Sequence, residues 1–79
     1  MKCYSFYKSG NICKQYTVKG SLKHGKYISY FDNGNIDEQC YYKNDLLEGE
    51  YFAYEDDGTL YKHCNYKRGN IMENVLLIL

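Results

Sequence analysis

The chain has 79 residues, enough for one small domain, and a chain of this size hides only about 60% of its unfolded surface. Ten Lys and Arg balance ten Asp and Glu, which removes the basic field that gives nucleic-acid binding most of its affinity and argues against docking on anionic lipid. Eleven Tyr and three Phe, with no Pro and Ala only at Ala53, suit pleated strands and argue against both helices and low-complexity disorder.

Taken in chain order, the start Met1-Lys2-Cys3-Tyr4-Ser5 lacks the apolar run of a secretory signal. A soluble, cytoplasmic protein is therefore expected, with Cys3, Cys13, Cys40 and Cys64 as reduced thiols. A first hairpin is predicted from about 3–8 with 11–18 around Ser9-Gly10, and a second from 26–32 with 35–42 around Asn33-Gly34. The third pairs 50–56 with 59–66 around Asp57-Gly58. Each of these residue pairs reads as a two-residue turn of the kind that needs positive φ, with Gly10, Gly34 and Gly58 as structural turn glycines. Polar connections such as Lys43–Gly49 lead from hairpin to hairpin, and a last strand is expected at about 71–79. The fold class is thus all-β: a single-layer antiparallel meander of stacked hairpins, with six strands and a final one.

The hairpins repeat. Residues 25–48 and 49–72 share Gly25/Gly49, Tyr27/Tyr51, Tyr30/Tyr54, Asp32/Asp56, Gly34/Gly58, Cys40/Cys64, Tyr42/Tyr66 and Lys43/Lys67. Residues 1–24 match 25–48 equally often, through pairs that include Gly10/Gly34, Asn11/Asn35, Ile12/Ile36 and Gln15/Gln39. The 79 residues therefore read as one domain of three 24-residue units, at about 1–24, 25–48 and 49–72, with a degenerate end at 73–79.

With Asn33-Gly34 as the loop, Phe31 should face Ile36, Ser29 should face Glu38, and Tyr27 should face Cys40. Opposed residues share a side, so one face is expected to carry Tyr27, Phe31, Ile36, Cys40 and Tyr42 with their equivalents in the other units. The other face holds Phe6, Ile28, Tyr30, Phe52 and Tyr54. These are the candidate binding residues, because exposed aromatics are over-represented at interface hot spots. Lys14, Glu38 and Lys62 form a charge row one repeat apart.

The pattern Gly25-Lys26-Tyr27-Ile28-Ser29-Tyr30-Phe31-Asp32-Asn33-Gly34-Asn35-Ile36, repeated from Gly49 to Leu60 and followed each time by Tyr-Lys and a polar loop, resembles the MORN-repeat variant family. The resemblance covers residues 3 to about 70; Met1 and Cys3 replace the leading glycine and aromatic in the first copy, and Tyr stands where Trp is frequent. It implies an elongated sheet of stacked hairpins used in protein–protein interaction, scaffolding or membrane association, and bacterial members are often labelled antitoxin components.

Chemistry of the catalytic kind is not expected. His63-Cys64 with Cys40 lacks any Cys-x-x-Cys spacing, so no metal is assigned and the cysteines read as small apolar packing residues. Asp56-Asp57 and Asp45 with Glu48 fall in turns, where Asp shapes backbone. The reading is a non-enzymatic interaction or scaffolding module without cofactors. An antitoxin with a cognate toxin and a peripheral lipid binder are the alternatives. The partner is expected to be another protein or a second copy, engaged through an apolar edge at Val75–Leu79; nucleic acid is not expected.

Overall fold

A computed structural model describes the backbone of residues 1–77 and the side chains of residues 1–71. Regular structure among them consists of strands β1 (Lys2–Phe6), β2 (Ile12–Lys19), β3 (Leu22–Tyr30), β4 (Ile36–Lys43), β5 (Leu46–Leu47), β6 (Gly49–Tyr54), β7 (Leu60–Lys67) and β8 (Asn70–Leu77). They form one antiparallel sheet in the order β1-β2-β3-β4-β6-β7-β8, with the two-residue β5 pairing β4. The molecule measures 37 × 37 × 11 Å, and its short dimension is that of a single layer. The all-β meander expected from the alternating pattern is the fold that forms. Its described strands outnumber the expected ones because the polar connections are themselves paired. The edge expectation at Val75–Leu79 falls on side chains outside the described residues, and for Ile78 and Leu79 on backbone outside them too.

Turn chemistry differs from the sequence expectation, and it differs at both rims of the sheet. At the rim of the repeated glycines, the loops are three residues long. The Gly34 N–H donates to Phe31 O at 2.9 Å and the Phe31 N–H to Asn35 O at 2.8 Å, and the pattern recurs at Tyr7/Gly10/Asn11 and Glu55/Gly58/Thr59. Only the glycines take positive φ, at 95° in Gly10, 94° in Gly34 and 93° in Gly58. Ser9, Asn33 and Asp57 do not, since each turns its side-chain oxygen onto the N–H two residues on (Asn11 at 3.3 Å, Asn35 at 2.8 Å, Thr59 at 2.9 Å). That bond holds an ordinary turn, and the left-handed glycine after it closes the hairpin with a bulge. For Asp57, the hydrogen bonds from the side chain and backbone of Thr59 hold the carboxyl below its usual range.

The tight two-residue loops stand at the opposite rim. Asn44-Asp45 lies between the paired Lys43 and Leu46, with φ of 51° and 70°. Arg68-Gly69 lies between Lys67 and Asn70, with φ of 53° and 83°. Gly20-Ser21 closes the first such turn between Lys19 and Leu22. Strand β3 consequently starts at Leu22, four residues earlier than expected.

The bulges also correct the register near the glycine turns. Ser29 pairs Glu38 and Tyr27 pairs Cys40 as expected, but Ile36 pairs Tyr30 instead of Phe31. Ile12 likewise pairs Phe6, and Leu60 pairs Tyr54. The extra residue in the bulged strand reverses the side of its neighbours toward the turn, so Ile12, Ile36 and Leu60 join the face of Phe6, Tyr30 and Tyr54.

Turns of successive units are stitched together. Asn11 Nδ2 donates to Asp32 O at 2.7 Å, and Asn35 Nδ2 donates to Asp56 O at 2.8 Å, one repeat later. At the other rim, Asp45 N–H reaches Lys23 O and Gly69 N–H reaches Leu47 O, both at 2.9 Å. Hydrogen bonds at both rims thus hold the 24-residue period in space.

Candidate interaction surface

A one-layer sheet has two faces and no second layer, so each side chain is covered by its neighbours or left in water. The ladder pairs place Cys3, Tyr16, Tyr27 and Cys40 in one row, with Tyr51 opposite Cys64 further along. A parallel row on the same face runs Ser5, Lys14, Ser29, Glu38, Ala53 and Lys62. The only apolar residues buried among those described are Cys40, Ala53 and Cys64, all on this face and all small. Tyrosine rings lie between them: Tyr16 and Tyr27 are 5.9 Å apart, Tyr27 and Tyr42 5.6 Å, and Tyr51 and Tyr66 5.7 Å.

Glu38 and Lys62 on this face are met by a tyrosine instead of by each other. The Tyr51 hydroxyl donates to Glu38, and Lys62 Nζ sits 5.3 Å from the centre of the Tyr51 ring. The expected charge row therefore exists, but Tyr51 stands between its Glu38 and Lys62 members. Burial is the main cause of raised hydroxyl pKa values here. It lifts Tyr27 to about 12, with Glu38 adding to it, and lifts Tyr42, Tyr51 and Tyr66 as well. The Cys40 thiol is pushed up to about 12 by burial and by Glu38, against a smaller pull from Lys23. Cys40 and Cys64 are free thiols on β4 and β7, with β6 between them.

The second face carries the sequence-predicted set. Phe6 is 63% exposed, while Ile28, Tyr30, Phe52 and Tyr54 are partly covered. The structure brings Phe52 into a wider cluster, stacked on His63 with ring centres 4.3 Å apart and planes 9° from parallel. His63 Nε2 in turn lies 3.0 Å from Glu50 Oε2. Gln15 Nε2 donates to the Tyr30 hydroxyl at 2.7 Å, and Ile36 meets Tyr54 in a hollow by the glycine turns. A second shallow hollow is lined by Lys2, Gln15, Tyr16, Thr17, Lys26 and Ile28.

Sequence reasoning missed Tyr4, at 51% exposure, and Tyr41, at 43%, which share this face with Phe6 and Phe52. Alternation alone could have found Tyr4, two residues before Phe6. Leu22 and Leu46 also open onto this face beside the tight turns. Lys23 was missed on the first face because its strand was expected to begin later. Among the described residues, no three His, Cys, Asp or Glu side chains gather as a metal site requires.

The sheet is thus a stack of hairpins with a 24-residue period, and the model of the MORN repeat variant family matches residues 23–44 and 47–68, more than half of the chain. The chain belongs to this family. The two MORN matches start 24 residues apart and run from Lys23 in β3 to Arg68 just past β7, so the family pattern has the same period as the units that the turn ladders stitch together. MORN repeats are generally modules of protein or membrane interaction. No curated protein and no solved structure matches the chain. Among the described residues, no helix is long and apolar enough to cross a membrane.

Proposed function

We propose that the chain is a non-catalytic, cytoplasmic protein-interaction module whose contact surface is the face of Tyr4, Phe6, Ile28, Tyr30, Tyr41, Phe52 and Tyr54. One observation carries this reading. Three of the four exposed rings, Tyr4, Phe6 and Tyr41, stand on that face, the fourth, Tyr61, lies at the bulge of β7, and the opposite face turns Tyr27 and Tyr51 toward its own small residues. Tyr and Phe offer a partner large contact area at little cost in side-chain freedom, and a Tyr hydroxyl left in water can bond across an interface. Neutral net charge favours a protein over anionic lipid as the partner.

The test compares the native chain with a Phe6→Ser/Tyr41→Ser variant, both immobilised for partner capture. Because both residues are exposed, the variant is expected to melt with the native chain and lose the captured protein. Partners retained in full by the variant would sink the assignment of this face. Binding of phosphatidylserine vesicles by the native chain would replace the protein partner with a membrane.

A further inference from the structure

Lys23 has an unusual setting. Its Nζ lies 5.8 Å from the centre of the Tyr16 ring, 5.9 Å from Tyr27 and 5.2 Å from Tyr42, all within the range of a cation–π contact. Among the described residues it has no carboxylate within ion-pairing distance, so ring faces hold the ammonium. The main chain beneath it is pinned: Lys23 N–H donates to Asp45 Oδ1 at 2.7 Å, and Lys23 O accepts from Asp45 N–H at 2.9 Å. A flexible four-carbon arm therefore rises from a fixed base, and its tip can leave the rings without disturbing the sheet.

The repeat does not impose this arrangement. One unit later the ring pair recurs with nearly the same geometry, 5.6 Å and 65° for Tyr27–Tyr42 against 5.7 Å and 67° for Tyr51–Tyr66. The third ring is then replaced by Cys40, and Leu47 stands in the place of Lys23. Among the described residues, one position in the stack combines three rings with an ammonium. Glu38 contributes negative field there, and burial raises the pKa of the Tyr27 and Tyr42 hydroxyls further above neutrality.

We propose that Tyr16, Tyr27 and Tyr42 form a binding site for the alkylammonium group of a partner protein's lysine, with methylated lysine preferred, and that Lys23 occupies the site as a built-in competitor. Methylation weakens the hydration of an ammonium while keeping its charge, which shifts the balance from water to ring faces. The group seen in the site is itself a lysine arm, and this favours a protein lysine over a choline headgroup. The site lies on the face opposite the proposed contact surface, so its test stands apart from that reading.

Tetramethylammonium is the probe, followed by the ring protons of Tyr16, Tyr27 and Tyr42 in NMR titrations of the native chain and Lys23→Ala. The variant is expected to bind at least about tenfold more tightly, since the competitor is gone. Adding Tyr42→Leu to it should abolish binding. In the native chain, saturating probe should move the Lys23 side-chain protons from ring-shifted positions to those of a free lysine, a readout that needs no variant. Equal affinity in both proteins, or Lys23 protons that stay in place at saturation, would overturn the site. A trimethyllysine peptide should bind Lys23→Ala, and phosphatidylcholine vesicles should not. Vesicle binding would overturn the choice of a protein lysine.

Discussion

The two faces of the sheet are built from the same stock of tyrosines but cover them to different extents. On the face of Tyr27 and Tyr51, the neighbouring positions hold Cys40, Ala53, Cys64, Gly25 and Gly49. Rings can lie down over residues this small, and the small residues become the core, with Ala53 and Cys40 at 2% exposure and Cys64 at 0%. On the other face, Gln15, Ile28, Gln39, Phe52 and His63 stand side by side across the strands. Bulky neighbours leave no floor for a ring to cover, so Tyr4, Phe6 and Tyr41 remain in water. In a single layer, small cross-strand neighbours let aromatics lie down as part of the fold, while bulkier ones leave more ring surface open to a partner.

The largest test of this contrast is pH. The groups with raised pKa values on the packed face are Cys40, from an ordinary 9.0 to about 12, Tyr27, from 10.0 to about 12, and Tyr42, Tyr51 and Tyr66. As pH rises, the unfolded chain releases these protons first while the folded chain keeps them, so stability is full below the unfolded values and is lost toward the folded ones. Denaturation midpoints are expected to be flat through neutrality and to fall above pH of about 9, with Cys40→Ala moving the onset toward about 10. A midpoint that stays level through this range would break the assignment of partly covered, neutral hydroxyls to one face.

Next in size is Tyr51→Ala, which removes a ring from Tyr66 and Lys62 and the hydroxyl from Glu38. A loss of about 2 kcal/mol is expected in chemical denaturation, below the range for a fully buried aromatic because Tyr51 is only partly covered. Gly34→Val tests the rim that both faces share. A Cβ there meets nothing within 4 Å, so the cost comes from the backbone alone at φ +94°, about 1–2 kcal/mol. An unchanged melting temperature would contradict the left-handed turn.

Asn35→Ala cuts one bond between successive turns, and a loss of about 1 kcal/mol is expected for that hydrogen bond. The smallest effect belongs to the open face. Phe6→Ala should change stability by no more than about 0.5 kcal/mol, because the ring is already in water. A large loss there would mean that the open face is packed after all, and the contrast between the faces would fail.

Much of this could be read from residues in order. Period, strand direction and the pairing of Tyr27 with Cys40 came from recurring glycines and alternation, because side-chain direction in a strand is a local property of the backbone. Phe6, Ile28, Tyr30, Phe52 and Tyr54 were placed together for the same reason. Tertiary structure decided which rim carries tight turns and which carries bulges. Asn33-Gly34 and Asn44-Asp45 are both legitimate hairpin loops by composition, and the outcome rests on side-chain oxygens and on bonds to the next unit, such as Asn35 to Asp56. The bulges then moved Ile36 across the sheet, a shift that no two-residue alternation can express. Lys23 meets Tyr16, Tyr27 and Tyr42 from three different strands, so its position over the rings depends on how those strands pair and on where β3 begins.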